Sequence, residues 1–446
     1  VASGRNNVWS INAAIACFVT WSFPASRYDG EMETSSTPAA TTPPAALSID
    51  PVVALEKQYL LQNYARYPLV LARGKGCYLY DTSGKRYLDL MSGIGVNALG
   101  HAHPRLMKVL RDQARKMIHC SNLYYHEYQG RLAERIAQTS GLDRVFFCNS
   151  GTEAMEGALK MIRAHGRKIG PEKYETVALF DSFHGRTFGA LSLTGQENYR
   201  RDFEPMLPGA RFVPRNDVTA LEQTVSEHTA GIVLELIQGE GGIHPLRADF
   251  IAKARQLADR YNSLLVFDEI QCGVGRPGTY YAYQLNEPAI MPDIITAAKP
   301  LACGIPLGFV AANERASAAI ASGMHGTTFG GGPLACRVAL EFFDILDELL
   351  PNISQMGSFF RMRLTDLMKR YSFIKEVRGV GLMIGVELEF SGKQIVLDAM
   401  EAGLLLNCTH NVVLRALPPY IITEQDVERA IRVLDKVLKK AKPPEA

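Results

Sequence analysis

No CxxC pair occurs among the eight cysteines of this 446-residue chain. Cys17, Cys77, Cys120, Cys148, Cys272, Cys303, Cys336 and Cys408 are scattered singles, so neither a zinc motif nor a redox pair is expected. Isolated cysteines in a large chain predict reduced, partly buried thiols of an intracellular protein. Net charge is nearly absent too: +2 gives no electrostatic case for nucleic acid or an anionic membrane. There are no internal repeats. The one apolar stretch of spanning length, "DIITAAKPLACGIPLGFVAANE" (293–314), contains Lys299, Pro300, Gly304, Pro306 and Gly308. A lysine near its centre and no second such stretch exclude a membrane helix. No metal site is predicted. What remains is 47% hydrophobic and 21% charged residues, an ordinary globular composition in a chain long enough for more than one core.

The first 46 residues differ from the rest and are expected to be a disordered or non-native extension. "TSSTPAATTPPAA" is too polar and proline-rich to pack. Residues 8–25 carry no charge, as in a secretory signal core, and no acid precedes Asp29, as in a transit peptide. The chain opens on Val1, and the adopted reading takes Met32 as the start and residues 1–31 as an artefact of the reading frame. The protein is accordingly expected in the cytoplasm, or in a mitochondrial or plastid matrix if the extension is a transit peptide.

From residue 140 on, apolar runs of strand length alternate with helical periodicity. The runs are 144–149, 176–180, 231–237, 263–270, 293–298 and 308–313; the helical segments are 105–118, 153–166 and 249–261. Continuous apolar strands suit burial on both faces, so a parallel sheet in a doubly wound α/β domain is predicted. After residue 333 two helical patterns, 334–350 and 354–371, precede short strands and a last helix capped by Thr423, which predicts a smaller α+β domain. Residues 76–90 suggest a hairpin around Asp81–Gly84.

Three constellations stand out at predicted strand ends. "CNSGTEAMEGALKMIRAHG" places Ser150, Gly151 and Thr152 where a strand turns into a helix, with Gly166 as the expected C-terminal cap. Free N–H groups, a hydroxyl and a glycine there can bind phosphate, although a plain capped turn has the same composition. Asp268 ends the apolar run "SLLVFDEI", at the edge where doubly wound sheets bind ligands; a structural ion pair would also explain it. Lys299 ends the next run. Burial lowers a lysine's pKa, and a free amine can form a Schiff base. A phosphate cradle, an acid for a ring nitrogen and an imine-forming lysine are the parts of a pyridoxal phosphate site. "GVGRPG" (273–278) also fits the dinucleotide fingerprint, with Asp293 at the usual distance. An NAD-dependent dehydrogenase using this stretch is the remote alternative: Asp268 and Glu269 would repel a pyrophosphate, and Asp293 begins a strand instead of ending one.

In combination, "YARYPLVLARGKGCYLYD", "GHAHP", "CNSGTEA", "SFHGRTFGALSLTGQ", "IQGEGGI", "LVFDEIQCGVGRPG", "AAKPLACGIPLG", "HGTTFGGGPLA" and "VRGVGLMIGVEL" closely resemble the class III (subgroup II) aminotransferases, and among them the acetylornithine aminotransferases, over residues 50–440. The resemblance implies pyridoxal 5'-phosphate and fold type I: a large doubly wound, mostly parallel sheet domain plus a smaller α+β domain. The expected division is 47–99 as an N-terminal segment contributing to the small domain, 100–333 as the cofactor-binding domain and 334–441 as the C-terminal small domain. It also implies roles. Lys299 would bond the cofactor and shuttle a proton; Asp268 would pair with the ring nitrogen. Gln271 would hydrogen-bond the 3-oxygen, Phe183 would cover the ring, and Gly151 and Thr152 would bind the phosphate. Thr328 would reach the phosphate of a partner subunit, the family site lying at a homodimer interface. Arg186 and Arg415 match the family's carboxylate binders, a task suited to bidentate guanidinium groups.

The resemblance implies that two substrates share this site. In the family the donor reacts through a side-chain amine, the acceptor 2-oxoglutarate beside its α-carboxylate. Glu240 of "IQGEGGI" is expected to mask Arg415 while the donor is bound. Ornithine aminotransferases usually carry an aromatic residue where this chain has Ile94, and the smaller side chain leaves room for an acyl group. The expected reaction moves the δ-amino group of N-acetylornithine to 2-oxoglutarate, with ornithine, succinylornithine or 4-aminobutyrate as alternative donors. Leu236 and Gly332 stand where the family usually has proline and asparagine, positions that bear on substrate preference more than on the reaction.

Overall fold

In a computed structural model, which describes residues 49–441, the first described element is the helix Ile49–Tyr59. The expectations for residues 1–46 lie outside the described residues. Strands β1 (Leu71–Lys75), β2 (Tyr78–Asp81) and β3 (Arg86–Asp89) follow as an antiparallel meander, with Gly84 supplying the positive φ that the β2–β3 turn needs. This is the hairpin anticipated around Asp81–Gly84.

The central sheet is built from β4 (Arg144–Cys148), β5 (Glu175–Leu179), β6 (Ala210–Val213), β7 (Thr229–Leu234), then, after the two-residue hairpin β8 (Ile237–Gln238) and β9 (His244–Pro245), from β10 (Leu264–Asp268), β11 (Ile294–Ala297) and β12 (Gly308–Ala312). Its spatial order is β4-β12-β11-β10-β7-β5-β6. Every residue of β7, β10, β11 and β12 is buried, which is why these runs are apolar without alternation. The sheet is mostly parallel, as expected, with one exception: β12 runs antiparallel to both β11 and β4. A parallel return needs a crossover of about a dozen residues or more, usually a helix. Residues 298–307 are too few, so the chain turns back directly. Lys299 therefore sits on a tight connection at the carboxyl edge, next to Asp268, whose register partner in β11 is Thr296.

Two helix boundaries also differ from expectation. The patterns 334–350 and 354–371 form one helix, Pro333–Arg370, with Pro351 inside it. Proline removes one hydrogen bond, but Phe342, Phe343 and Leu346 before it and Ile353, Met356 and Phe360 after it are buried in one core, so packing carries the helix through. The helix expected to stop at Gly166 runs from Gly151 to Ile169. Gly166 is an interior contact: a Cβ there would lie 2.0 Å from the carbonyl oxygen of Lys173.

The remaining strands are β13 (Ile374–Val380), β14 (Met383–Leu388), β15 (Leu404–Leu405), β16 (Asn407–Thr409) and β17 (Val413–Ala416). The order β13-β14-β17-β16 makes an antiparallel sheet, whereas β15 joins β3 in parallel. The final helix, Glu424–Leu438, has the anticipated cap, with Thr423 and Asp426 capping each other reciprocally. Among the described residues no helix is long and apolar enough to cross a membrane, and no group of three or more His, Cys, Asp or Glu could hold a metal ion.

Candidate active site

The carboxyl ends of β4, β5, β7, β10 and β11 share one edge, and the loops leaving them enclose a cavity of about 240 Å3. At one end lies the start of the helix Gly151–Ile169. Ser150 caps it by accepting from the Glu153 N–H, which leaves the first backbone donors free. Gly151 and Gly185 keep the cradle open. A Cβ on Gly151 would stand 2.7 Å from Ile270 Cγ2, and one on Gly185 (φ +141°) would stand 2.2 Å from Thr152 Oγ1. The Thr152 hydroxyl is oriented by that of Thr187 at 2.9 Å.

Asp268 projects from the end of β10 and is 3% exposed. One oxygen accepts from the Ile270 N–H at 3.0 Å; the other meets Nδ1 of the buried His184 at 2.7 Å. Burial pushes the His184 pKa down, but the bond to Asp268 and the charges of Asp268 and Glu235 outweigh it, so the net shift is upward. Glu235 lines the cavity beside them. It accepts from the N–H groups of Phe183 (2.8 Å) and Gly239 (3.0 Å), and burial raises its pKa to about 7 despite the opposing charge of His184. Lys299 opens onto the same cavity. Its pKa is lowered, burial outweighing the attraction of Glu240 and Asp268.

The carboxylate-handling groups sit at the other end. Arg415 is 1% exposed and donates to Glu240 at 2.6 Å, to the amide oxygen of Gln271 at 3.1 Å and to Asn407 at 3.2 Å. Burial raises the Glu240 pKa, but Arg415 more than reverses this and holds it below its ordinary value. Because its oxygen is engaged by Arg415, Gln271 has its amide N–H groups left to donate. Arg186 is exposed, lies over the Tyr199 ring at 4.0 Å and has no acidic partner among the described residues.

Of the residues singled out from sequence, Gly151, Thr152, Phe183 and Arg186 line the cavity, as do Glu240, Asp268, Gln271 and Lys299. Arg415 reaches it through Glu240 and Gln271. Thr328 and Ile94 do not line it; Thr328 is exposed, and Ile94 is 39% exposed in a left-handed conformation between Gly93 and Gly95. "GVGRPG" opens no helix. Its Arg276 is fully buried and donates to the carbonyls of Leu382 and Pro418, far from the phosphate-binding role of a fingerprint. Sequence reasoning missed His184, Glu235 and Asn407. Glu235 was visible by the criterion that found Lys299, a lone charge in an apolar run; His184 lies inside the quoted "FHGRT".

The site fits pyridoxal phosphate: a glycine-lined helix start for the phosphate, a buried carboxylate for the ring nitrogen, an amide donor, an aromatic face and an amine of lowered pKa. The family model for aminotransferase class-III matches residues 59–438. The chain belongs to the class-III aminotransferases. Within the family it is 46% identical to the acetylornithine aminotransferase of Methanocaldococcus jannaschii over 87% of this chain and 98% of that one. It is 44% identical to the mitochondrial acetylornithine aminotransferase of Alnus glutinosa, over 84% of each. Among solved structures it resembles the ornithine aminotransferase of Toxoplasma gondii (TM-score 0.84, 32% identity, 88% of this chain and 95% of that one). It also resembles the N-acetylornithine aminotransferase of Stenotrophomonas maltophilia (TM-score 0.75, 33% identity, 87% and 98%).

Proposed function

We propose that this aminotransferase moves the δ-amino group of N2-acetylornithine to 2-oxoglutarate, giving N-acetylglutamate 5-semialdehyde and glutamate, a step of arginine biosynthesis. The observation that carries this reading is the asymmetry of its two arginines: among the described residues Arg186 has no acidic partner, whereas Arg415 is held by Glu240. A donor with one carboxylate and a remote amine needs one free arginine; a dicarboxylate acceptor needs two.

When bound, pyridoxal phosphate supplies an aldehyde that captures amines and a protonated ring that draws electrons from the neighbouring carbon. Gly151 and Thr152 would bind its phosphate at the helix start, and Phe183 would cover the ring. Asp268, held in place by His184, would keep the ring nitrogen protonated, and Gln271 would donate to the 3-oxygen. Lys299 Nζ, with its lowered pKa, takes the proton from the carbon that carries the reacting amine. Arg186 orients the donor's carboxylate, and Glu240 keeps Arg415 from capturing it. When 2-oxoglutarate enters, Glu240 swings aside and Arg415 takes the α-carboxylate. Ile94 lies outside this cavity, and its role in leaving space for the acetyl group rests on the family resemblance alone.

Exposed Ile118, Leu123, Tyr124 and Tyr125 adjoin exposed Phe329, the two segments being tied by Asn122, which donates to the carbonyls of Thr327 and Gly330. This apolar patch beside Thr328 supports a homodimer in which Thr328 serves the partner's phosphate site. The seven described cysteines are all unpaired, which supports a reducing compartment, cytoplasm or organelle matrix.

The test is kcat/KM for acetylornithine against ornithine, succinylornithine and 4-aminobutyrate; a preference for any of the last three overturns the substrate assignment. Loss in Lys299→Ala of the borohydride-sensitive absorbance band checks the cofactor attachment.

A further inference from the structure

Glu240 lies on the turn between β8 and β9, and that turn is gripped from one face of the C-terminal sheet. Arg378 of β13 pairs with Gly385 of β14, Gly385 pairs with Arg415 of β17, and Arg415 pairs with Asn407 of β16. Side chains of one such row point to one face of the sheet. Each member of the row meets the turn or Arg415. Arg378, 7% exposed, donates through Nε and Nη2 to the carbonyl of Gly242 (2.9 and 2.7 Å) and through Nε to that of Ile243 (3.1 Å). Gly385 makes room for the Ile243 side chain, since a Cβ there would stand 3.0 Å from Ile243 Cβ. Arg415 binds the Glu240 carboxylate, and Asn407 braces Arg415.

The turn needs the grip. Ile243 is fully buried at φ +59°, a left-handed conformation that a β-branched residue adopts only under constraint. Arg378 is itself fixed by Glu376 (2.7 Å) and Glu387 (2.5 Å). Its Nη2 also faces His244 Nε2 at 3.2 Å. An arginine only donates, so that nitrogen accepts, and burial together with Arg378 and Arg215 holds the His244 pKa down to about 4, keeping the ring neutral. From β16, the Thr409 hydroxyl donates to the Glu240 carbonyl at 2.7 Å.

We infer that Arg378 is a positioning residue for substrate selection: by holding the Gly242 and Ile243 carbonyls it fixes the turn that presents Glu240 to Arg415, so that the mask opens by a side-chain swing over a rigid turn. The inference rests on the masking role of Glu240. A lysine in place of Arg378 keeps the charge between Glu376 and Glu387 but cannot bridge two carbonyls in a fixed fork. The loosened mask then competes less well for Arg415.

The experiment measures glutarate, a dicarboxylate without the keto group, binding to the holoenzyme by calorimetry in wild type, Arg378→Lys, Glu240→Ala and the double variant. Acetylornithine kcat/KM is measured alongside. Arg378→Lys is expected to tighten glutarate binding about fivefold and to lower kcat/KM for acetylornithine, opposite signs that general damage to the fold does not produce. On the Glu240→Ala background it should change glutarate binding by less than about twofold, because the two act as one unit. Weaker binding of both ligands, or an undiminished effect on the Glu240→Ala background, overturns the inference. If Glu240→Ala alone leaves glutarate binding unchanged, the masking role fails instead. Gly385→Ala, which unseats Ile243 while keeping the guanidinium, must follow the same pattern if Arg378→Lys does not fold.

Discussion

Replacing Glu240 by alanine should turn the enzyme towards its acceptor, and the structure sets the size of the effect. The Glu240–Arg415 pair is short, 2.6 Å, and one-sidedly buried: the arginine side chain is 1% exposed, the glutamate side chain 23%. Removing one partner of a fully buried pair costs about 3–5 kcal/mol. Solvent at Glu240 reduces this, and Gln271 and Asn407 still accept from Arg415, so about 2–3 kcal/mol is a fair value here. Opening the mask costs wild type that amount each time a dicarboxylate binds. Without Glu240 the cost disappears, and binding of 2-oxoglutarate or glutarate should tighten by roughly 30- to 150-fold. The donor should lose, because an uncovered Arg415 competes with Arg186 for its carboxylate and draws the amine away from Lys299. Glu240→Gln keeps an acceptor without the charge and should fall between, since neutral hydrogen bonds are roughly half as strong as charge-assisted ones. Stopped-flow measurement of the two half-reactions separately is the assay. Equal losses in both, or alanine and glutamine variants in the reverse order, would refute the masking argument.

His184→Phe removes a 2.7 Å bond to a buried carboxylate and should cost about 1.5–3 kcal/mol of stability. Because the His184 pKa is raised above its ordinary 6.5, that contribution is complete below 6.5 and fades as pH rises through the raised value. The melting-temperature gap to wild type should therefore be widest near about pH 6 and shrink in alkali; a gap that widens with pH contradicts the assignment. Gly185→Ala, with its Cβ 2.2 Å from Thr152 Oγ1 at φ +141°, should weaken pyridoxal phosphate binding to the cofactor-free protein by at least about tenfold in fluorescence titration. Unchanged affinity would remove this loop from the phosphate site. Ile94→Tyr should shift the acetylornithine-to-ornithine ratio of kcat/KM towards ornithine by on the order of tenfold. No shift would mean that Ile94 does not face the acyl group.

The chain's local chemistry was legible where one residue stands against its surroundings. Lys299 in "TAAKPLACG" and Asp268 at the end of "SLLVFDEI" were conspicuous because charge inside an apolar strand run demands a reason. The alternation of such runs with helical periodicity fixed the fold class, since strands buried on both faces cannot alternate polar and apolar residues. The helix start at Ser150–Thr152 and the cap at Thr423 are contained within a few consecutive residues, and local patterns of that kind can be read directly. The direction of β12 follows from a connection too short for a helix, information present in the chain length but ignored by a reading of apolar runs alone. Tertiary structure alone decided which distant residues meet. His184 and Asp268, and Arg378 and Ile243, are each separated by many intervening residues, and nothing local marks them as partners; Glu240 and Arg415 were expected to meet only through the family resemblance. Their pairing depends on strand order and on the register of β13, β14, β17 and β16, which the whole core sets by burying every strand at once. The sequence by itself determined which chemical groups the site would hold; packing determined their distances, and with them which arginine is free and which is masked.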